Sequence, residues 1–206
     1  MIQTKHHIVI YRLFKWLTRF LLKQNFNSIH IESDFIDNGK PVVLIANHIS
    51  WWDGFWMEYL NQKITHRMFH FMMLEEQLKK HWYFKYTGGY SVKRKSRDIV
   101  ESIDYTIELL NIPDNIILMF PQGVINSAYN NSIHFERGIQ QIIDKSKNDF
   151  QVLLVANFTD YFSNAKPNLF IYTKTCSSAF LRNNDVEKEY KQFYAQILSK
   201  HKTKTS

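Results

Sequence analysis

The chain has 206 residues, 45% hydrophobic and 22% charged, with only 6 Gly and 4 Pro; that excludes collagen-like, low-complexity and broadly disordered chains and leaves room for one full core. Its single cysteine, Cys176, excludes a disulfide framework and a cysteine-rich zinc site, as in a cytosol-facing protein. With 26 Lys and Arg against 19 Asp and Glu, and 16% aromatics, the balance favours an anionic membrane surface, lipid phosphates or nucleic acid as partner.

No run of about 18 uncharged apolar residues is present, so a spanning helix is not expected. Nor does a small-residue cleavage site follow the N-terminal apolar stretch, as a signal peptide would require. Within that stretch Arg12, Lys15, Arg19 and Lys23 recur every three or four residues and share one helical face. Ile10, Leu13, Phe14, Leu17 and Leu21 share another, with Trp16 and Phe20 at its margins. Such a helix can lie in a membrane interface or dock as an ordinary surface helix.

Ser28–Glu32 reads as a short strand, and Asp37-Asn38-Gly39-Lys40-Pro41 as a turn into the buried strand Val42–Ala46. Helix is predicted over Trp52–Asn61, an extended stretch over Arg67–Leu74, and helix again over Glu75–Tyr86. Gly88-Gly89 breaks the chain before a strand at Tyr90–Val92. A helix over Ser96–Leu110 presents Ile99, Ile103, Ile107 and Leu110 on one side, and an apolar strand follows at Ile116–Phe120. Helix over Ser132–Lys145, strands over Gln151–Ala156 and Asn168–Lys174, and a basic helix over Val186–His201 complete the chain. This alternation predicts an α/β fold: a mixed, largely parallel sheet flanked by helices, with the amphipathic helix at the N-terminus.

Three strand ends carry candidate chemistry, since sites in α/β sheets gather at the carboxyl ends of strands. Val42–Ala46 runs into Asn47-His48-Ile49-Ser50-Trp51-Trp52-Asp53. With Ser50 as N-cap, Asp53 becomes the third helical residue, and its carboxylate, kept ionised by the helix dipole, can orient the His48 imidazole as a general base. A capping box beside an ordinary loop histidine has the same spacing. The second strand end, Gly88 to Arg94, opens a basic run of seven cations and no acid from Lys79 to Arg97. There Arg94 offers a fork for phosphate and Lys93 a point charge; a solvated basic face is the alternative. The third, Phe120-Pro121-Gln122-Gly123, forms a tight loop whose amides could cradle an anion or oxyanion, or simply turn the chain.

In this order the three blocks resemble the glycerophosphate/lysophosphatidate acyltransferase family. Its N-H-x4-D block is matched by Asn47, His48 and Asp53, and its glycine-to-arginine block by Gly88 and Arg94. Its F-P-E-G block is matched by Phe120, Pro121 and Gly123, with Gln122 in place of glutamate, and Phe135-Glu136-Arg137-Gly138 is similar to a later F-x-R-G helix start. Lys93 stands where the family has Asp or Asn, and Val124-Ile125-Asn126 where it continues T-R-S. A fourth block with prolines in its apolar strand is matched at Val152–Ala156 without them.

The resemblance implies an acyltransferase domain over residues 26–206, and it tips the basic amphipathic pattern ahead of it toward a membrane-interface helix over residues 1–25. It implies an acyl group passing from acyl-CoA or acyl carrier protein to the hydroxyl of a lipid acceptor, lysophosphatidate by family habit, in phospholipid biosynthesis. His48 and Asp53 would be catalytic, and Arg94, Lys93, Pro121, Gln122 and Gly123 would contact substrate. No metal or cofactor is required beyond the thioester co-substrate. The partners would be the lipid, the thioester and an anionic membrane, at whose cytoplasmic face the protein would sit peripherally. The altered second and third blocks leave a neutral or glycosylated acceptor as the rival within enzymes. A non-catalytic membrane- or nucleic-acid-binding module is the rival of another class, although no nucleic-acid-reading motif is present. His66 and His70 lie too far apart along a strand to pair on zinc, Cys176 suits packing, Ser50 lacks a nucleophile elbow, and His134 suits a loop.

Overall fold

A computed structural model describes residues 1–93, 98–130 and 132–205. Its elements in order are α1 (Ile8–Asn25), β1 (Ser28–Glu32), β2 (Val42–Ala46), α2 (Asp53–Leu60), β3 (Met68–Leu74), α3 (Glu75–Lys80), β4 (Gly89–Val92), α4 (Asp98–Leu109), β5 (Asn115–Met119), α5 (Gly138–Lys145), β6 (Gln151–Asp160), β7 (Asn168–Ser177), α6 (Ser178–Arg182) and α7 (Val186–Lys202). The seven strands form one sheet in the order β1-β7-β6-β2-β5-β3-β4. Every pairing is parallel except β6 with β7, which agrees with the predicted largely parallel α/β sheet.

β2 lies at the centre because all five of its residues are apolar and can be buried on both faces. Strand alternation sends Val42, Leu44 and Ala46 to a layer with Phe26 of the α1–β1 link and Phe55, Trp56, Met57 and Leu60 of α2. Val43 and Ile45 face the opposite layer, built from Ile103, the isoleucines of α5, and Tyr190, Phe193 and Tyr194 of α7. Parallel register brings the carboxyl ends of β2, β5, β3 and β4 to one edge of the sheet, so the first and third sequence blocks lie side by side and the second follows β4 three strands from β2.

Several elements differ from the sequence-based expectation. The helix predicted to Asn61 ends at Leu60 and continues as a π-helical turn, Asn61–Thr65. The Asn61 side chain causes this: its Oδ1 accepts from Arg67 N at 2.9 Å and from Thr65 Oγ1 at 2.5 Å, pulling the turn out of α register. Likewise, the helix predicted over Glu75–Tyr86 stops at Lys80 and resumes as a 3-10 helix, Trp82–Thr87. The helix predicted from Ser132 begins only at Gly138, because the preceding residues are spent on tertiary anchors. Ile133 is buried, Phe135 N donates to Glu187 Oε2 at 2.9 Å, and Glu136 N donates to Pro121 O at 2.8 Å. Ser96, the predicted start of α4, lies outside the described residues. Gly88 owes its identity to close approach: its φ is +112°, and a Cβ there would stand 1.9 Å from Phe69 O.

α1 docks through a different face than the apolar pattern suggests. Tyr11, Thr18 and Leu22 are buried, while Val9, Leu13, Trp16, Leu17 and Phe20 form a stripe left exposed on the opposite side. Arg12, Arg19 and Lys23 run along the edge of that stripe, and Trp16 stacks on Phe20 at 5.5 Å. The docked face is polar at its centre. Glu58 of α2, fully buried, is met by Tyr11 Oη at 3.5 Å, Gln62 Nε2 at 3.2 Å and Asn61 Nδ2 at 3.3 Å. Arg19 Nε in turn donates to Gln62 Oε1 at 2.5 Å.

Burial pushes the Glu58 carboxyl from 4.5 up to about 8, against the pull of its hydrogen bonds and Lys15. An acid whose folded value is raised stabilises the protein fully below its unfolded value, and that contribution is lost as pH rises through the folded one. The urea midpoint should therefore fall between about pH 4.5 and about pH 8, and Glu58→Gln should flatten the fall. An equally steep decline in the variant would assign it to another group.

Candidate active site

At the carboxyl end of β2, the Asn47 side chain takes over the ladder to β6. Its Oδ1 accepts from Asn157 N at 2.8 Å and its Nδ2 donates to Asn157 O at 2.9 Å. With Asn47 locked, the backbone turns out of the sheet at His48. His48 Nδ1 donates to Asp53 Oδ2 at 2.7 Å, and the ring lies flat on Phe120, centroids 4.1 Å apart and planes 10° from parallel. His48 O accepts from Asn126 N at 2.8 Å, and His48 N donates to Gln122 Oε1, also at 2.8 Å. The imidazole is thus held by a carboxylate, an aromatic face and two backbone bonds. Its Nε2 is the nitrogen that can accept a proton.

Asp53 is completely buried, whereas the His48 side chain is 22% exposed. Burial pushes the Asp53 carboxyl above its ordinary value, against the expectation that the helix dipole keeps it ionised. Three donors converging on Oδ2 favour the ionised form: His48 Nδ1, Ile49 N at 2.7 Å and Ser50 N at 2.9 Å. The cap also differs from the expected one. α2 begins at Asp53 itself, and the Ser50 hydroxyl accepts from Trp52 N at 3.1 Å rather than from Asp53 N. Asp53 does reach back to Ser50 N as a capping-box acid would, so the same carboxylate caps the turn and holds the histidine.

The Pro121-Gln122-Gly123 loop crosses directly beside this pair. Gly123 has φ of +68°, and its N donates to Phe120 O at 3.0 Å, closing a turn. That amide is consumed, so the expected cradle at Gly123 lacks its central donor. Pro121 is buried and its carbonyl accepts from Glu136 N, which ties the loop to the start of α5. Gln122 is half-buried, as is Gly123. The side chains of Val124 and Ile125 are exposed, at 48% and 55%.

Lys93 leaves β4 at the same sheet edge, three strands from β2, with Nζ 3.8 Å from Glu75 Oε2. Glu75 also pairs with Lys79 at 2.7 Å, and the two lysines hold its carboxyl below the ordinary range. The basic run is therefore partly neutralised by an acid just outside it. Arg94, Lys95 and Arg97 lie outside the described residues. His66 sits at the end of the π turn, His70 is buried in β3, and among the described residues no group of three metal-ligating side chains occurs. Sequence reasoning did not find the partner roles of Asn157, 110 residues from Asn47, or of the Phe120 ring; a polar residue closing the apolar run Val152–Ala156 is the one signal for Asn157.

The Acyltransferase family model matches residues 27–156. Over 103 residues the chain is 27% identical to a 1-acyl-sn-glycerol-3-phosphate acyltransferase of Streptococcus pneumoniae (strain ATCC BAA-255 / R6), covering 48% of this chain and 38% of that protein. The matched segment is thus well under half the length of that relative. The crystal structure of the 1-acyl-sn-glycerophosphate acyltransferase PlsC from Thermotoga maritima superposes with a TM-score of 0.68 at 16% identity, covering 95% of this chain and 81% of that one. At that identity the likeness is one of fold.

Proposed function

This chain belongs to the acyltransferase family whose model spans residues 27–156, and from that membership we propose that it moves a fatty acyl group from a thioester to a hydroxyl of a lipid. The observation that carries the reading is the His48–Asp53 pair at 2.7 Å on the carboxyl end of the central strand. In this mechanism His48 Nε2 takes the proton of the acceptor hydroxyl while its oxygen attacks the thioester carbonyl carbon. General-base catalysis of this kind contributes about 10²–10⁴-fold. Asp53 holds the tautomer and stabilises the imidazolium that forms. The donor is acyl-CoA or acyl carrier protein, with Lys93 and Arg94 as the cations for the phosphate of the pantetheine arm. Neither metal nor covalent enzyme intermediate enters.

The acceptor is lysophosphatidate on the strength of the family resemblance and the Streptococcus pneumoniae relative. A second acceptor class, a neutral or glycosylated lipid alcohol, is favoured by Ile125, whose exposed apolar side chain occupies a position where the family carries a cation. Access to either lipid is from a membrane surface. Among the described residues no helix is long and apolar enough to cross a membrane. The exposed stripe of α1 with its flanking cations suits peripheral attachment to anionic lipid, and we place the protein on the cytoplasmic face.

Both points are tested by supplying one acyl thioester and presenting lysophosphatidate, or neutral and glycosylated lipid alcohols, in anionic vesicles. Ester product is expected with one acceptor class. Because each cation near the surface is worth about 1 kcal/mol, neutralising Arg12, Arg19 and Lys23 together should lower vesicle partition by about 10²-fold at low salt. No ester with any acceptor would sink the acyl-transfer reading, and unchanged partition would move the attachment site elsewhere.

A further inference from the structure

We propose that the side-chain amide nitrogen of Gln122 is the hydrogen-bond donor that holds the oxyanion formed during acyl transfer; the proposal rests on the acyl-transfer reading above. The orientation of this amide is settled by chemistry. His48 N can only donate, so the atom 2.8 Å from it is the acceptor Oε1, and both N–H groups of Gln122 are on the other branch of the amide. A carboxylate at residue 122 would accept from His48 N equally well but would have no proton to give. It would also put negative charge where negative charge develops, with Ile125 supplying no cation to offset it.

Two backbone amides of the neighbouring loop are already committed. Gly123 N closes the turn onto Phe120 O, and Asn126 N donates to His48 O. Gln122 is also preorganised: a buried proline precedes it, a glycine at φ +68° follows, and its own oxygen is pinned to the backbone of the catalytic histidine. A donor fixed in this way needs no reorganisation as charge appears, which is the condition for effective oxyanion stabilisation.

The acceptor oxygen forms the new C–O bond as its proton passes to His48 Nε2, and the π pair of the thioester carbonyl moves onto the carbonyl oxygen. Gln122 Nε2–H bonds that oxygen. When the pair returns, the C–S bond breaks and the departing sulfur takes the proton from His48, leaving ester, thiol and neutral imidazole.

Two variants separate this role from a purely structural one. Gln122→Glu keeps an acceptor for His48 N and removes the donor, whereas Gln122→Met removes both. In Gln122→Glu, kcat should fall about 10²–10³-fold with the donor KM little changed, the usual cost of losing one oxyanion donor. Affinity for a phosphonate analogue of the tetrahedral intermediate should fall with kcat, while affinity for the thioester itself should not. If the Glu variant turns over like wild type and only the Met variant is slow, the side chain merely props His48 N and the donor role is wrong. If the wild-type protein forms no His48-dependent ester at all, the acyl-transfer reading itself fails and takes this inference with it.

Discussion

Replacing His48 by alanine should reduce ester formation to the uncatalysed background while leaving the protein folded. In the proposed mechanism the acceptor hydroxyl then loses its base, because Nδ1 faces Asp53 and Nε2 is left to accept the proton. General-base removal alone costs about 10²–10⁴-fold, and in the proposed step the same histidine would return that proton to the leaving sulfur, so both halves would be lost. The fold should survive. Asp53 Oδ2 keeps its bonds from Ile49 N and Ser50 N, and the backbone bond from residue 48 to Gln122 does not involve the ring. Product analysis with an unfolding curve on the same sample checks both halves. Turnover at the wild-type rate would remove the dyad from the mechanism and favour a binding module.

Asp53→Asn should cost roughly 10²–10⁴-fold in kcat, again with a near-native unfolding midpoint. An amide oxygen can accept from Ile49 N and Ser50 N, so the turn that begins α2 is preserved. It cannot stabilise an imidazolium as a charge, and an amide turned the other way would demand the opposite histidine tautomer. Nor does the variant leave an unpaired buried charge, since the amide that replaces the carboxylate is neutral and His48 is partly exposed. The separation between a collapsed rate and a retained midpoint is therefore the informative result. A loss of less than about tenfold would reduce Asp53 to a helix cap.

The chain by itself determined those features whose partners are near in sequence or whose pattern repeats. β2 begins where the proline turn ends and stops where its apolar run stops, and His48 meets Asp53 because four residues separate them across one strand-to-helix turn. The Val42–Ala46 run had one stable destination, the middle of a sheet covered on both faces. Other features were decided only by the tertiary structure. Helical periodicity separates the faces of α1, but the docked face is set by Glu58, a buried acid 47 residues beyond Tyr11, and the more apolar stripe is left outside. Gln122 reads as a departure from a family pattern, and its bond to His48 N exists only because β5 lies beside β2 in parallel register. Gly123 reads as a cradle until the turn onto Phe120 consumes its amide. The residues from Ser132 to Arg137 have a helical pattern yet are drawn out to reach Pro121 and Glu187. In each case a contact distant in sequence outweighs a local preference, because local preferences are worth tenths of a kcal/mol per residue, whereas an unpaired buried polar group costs about 1–3 kcal/mol.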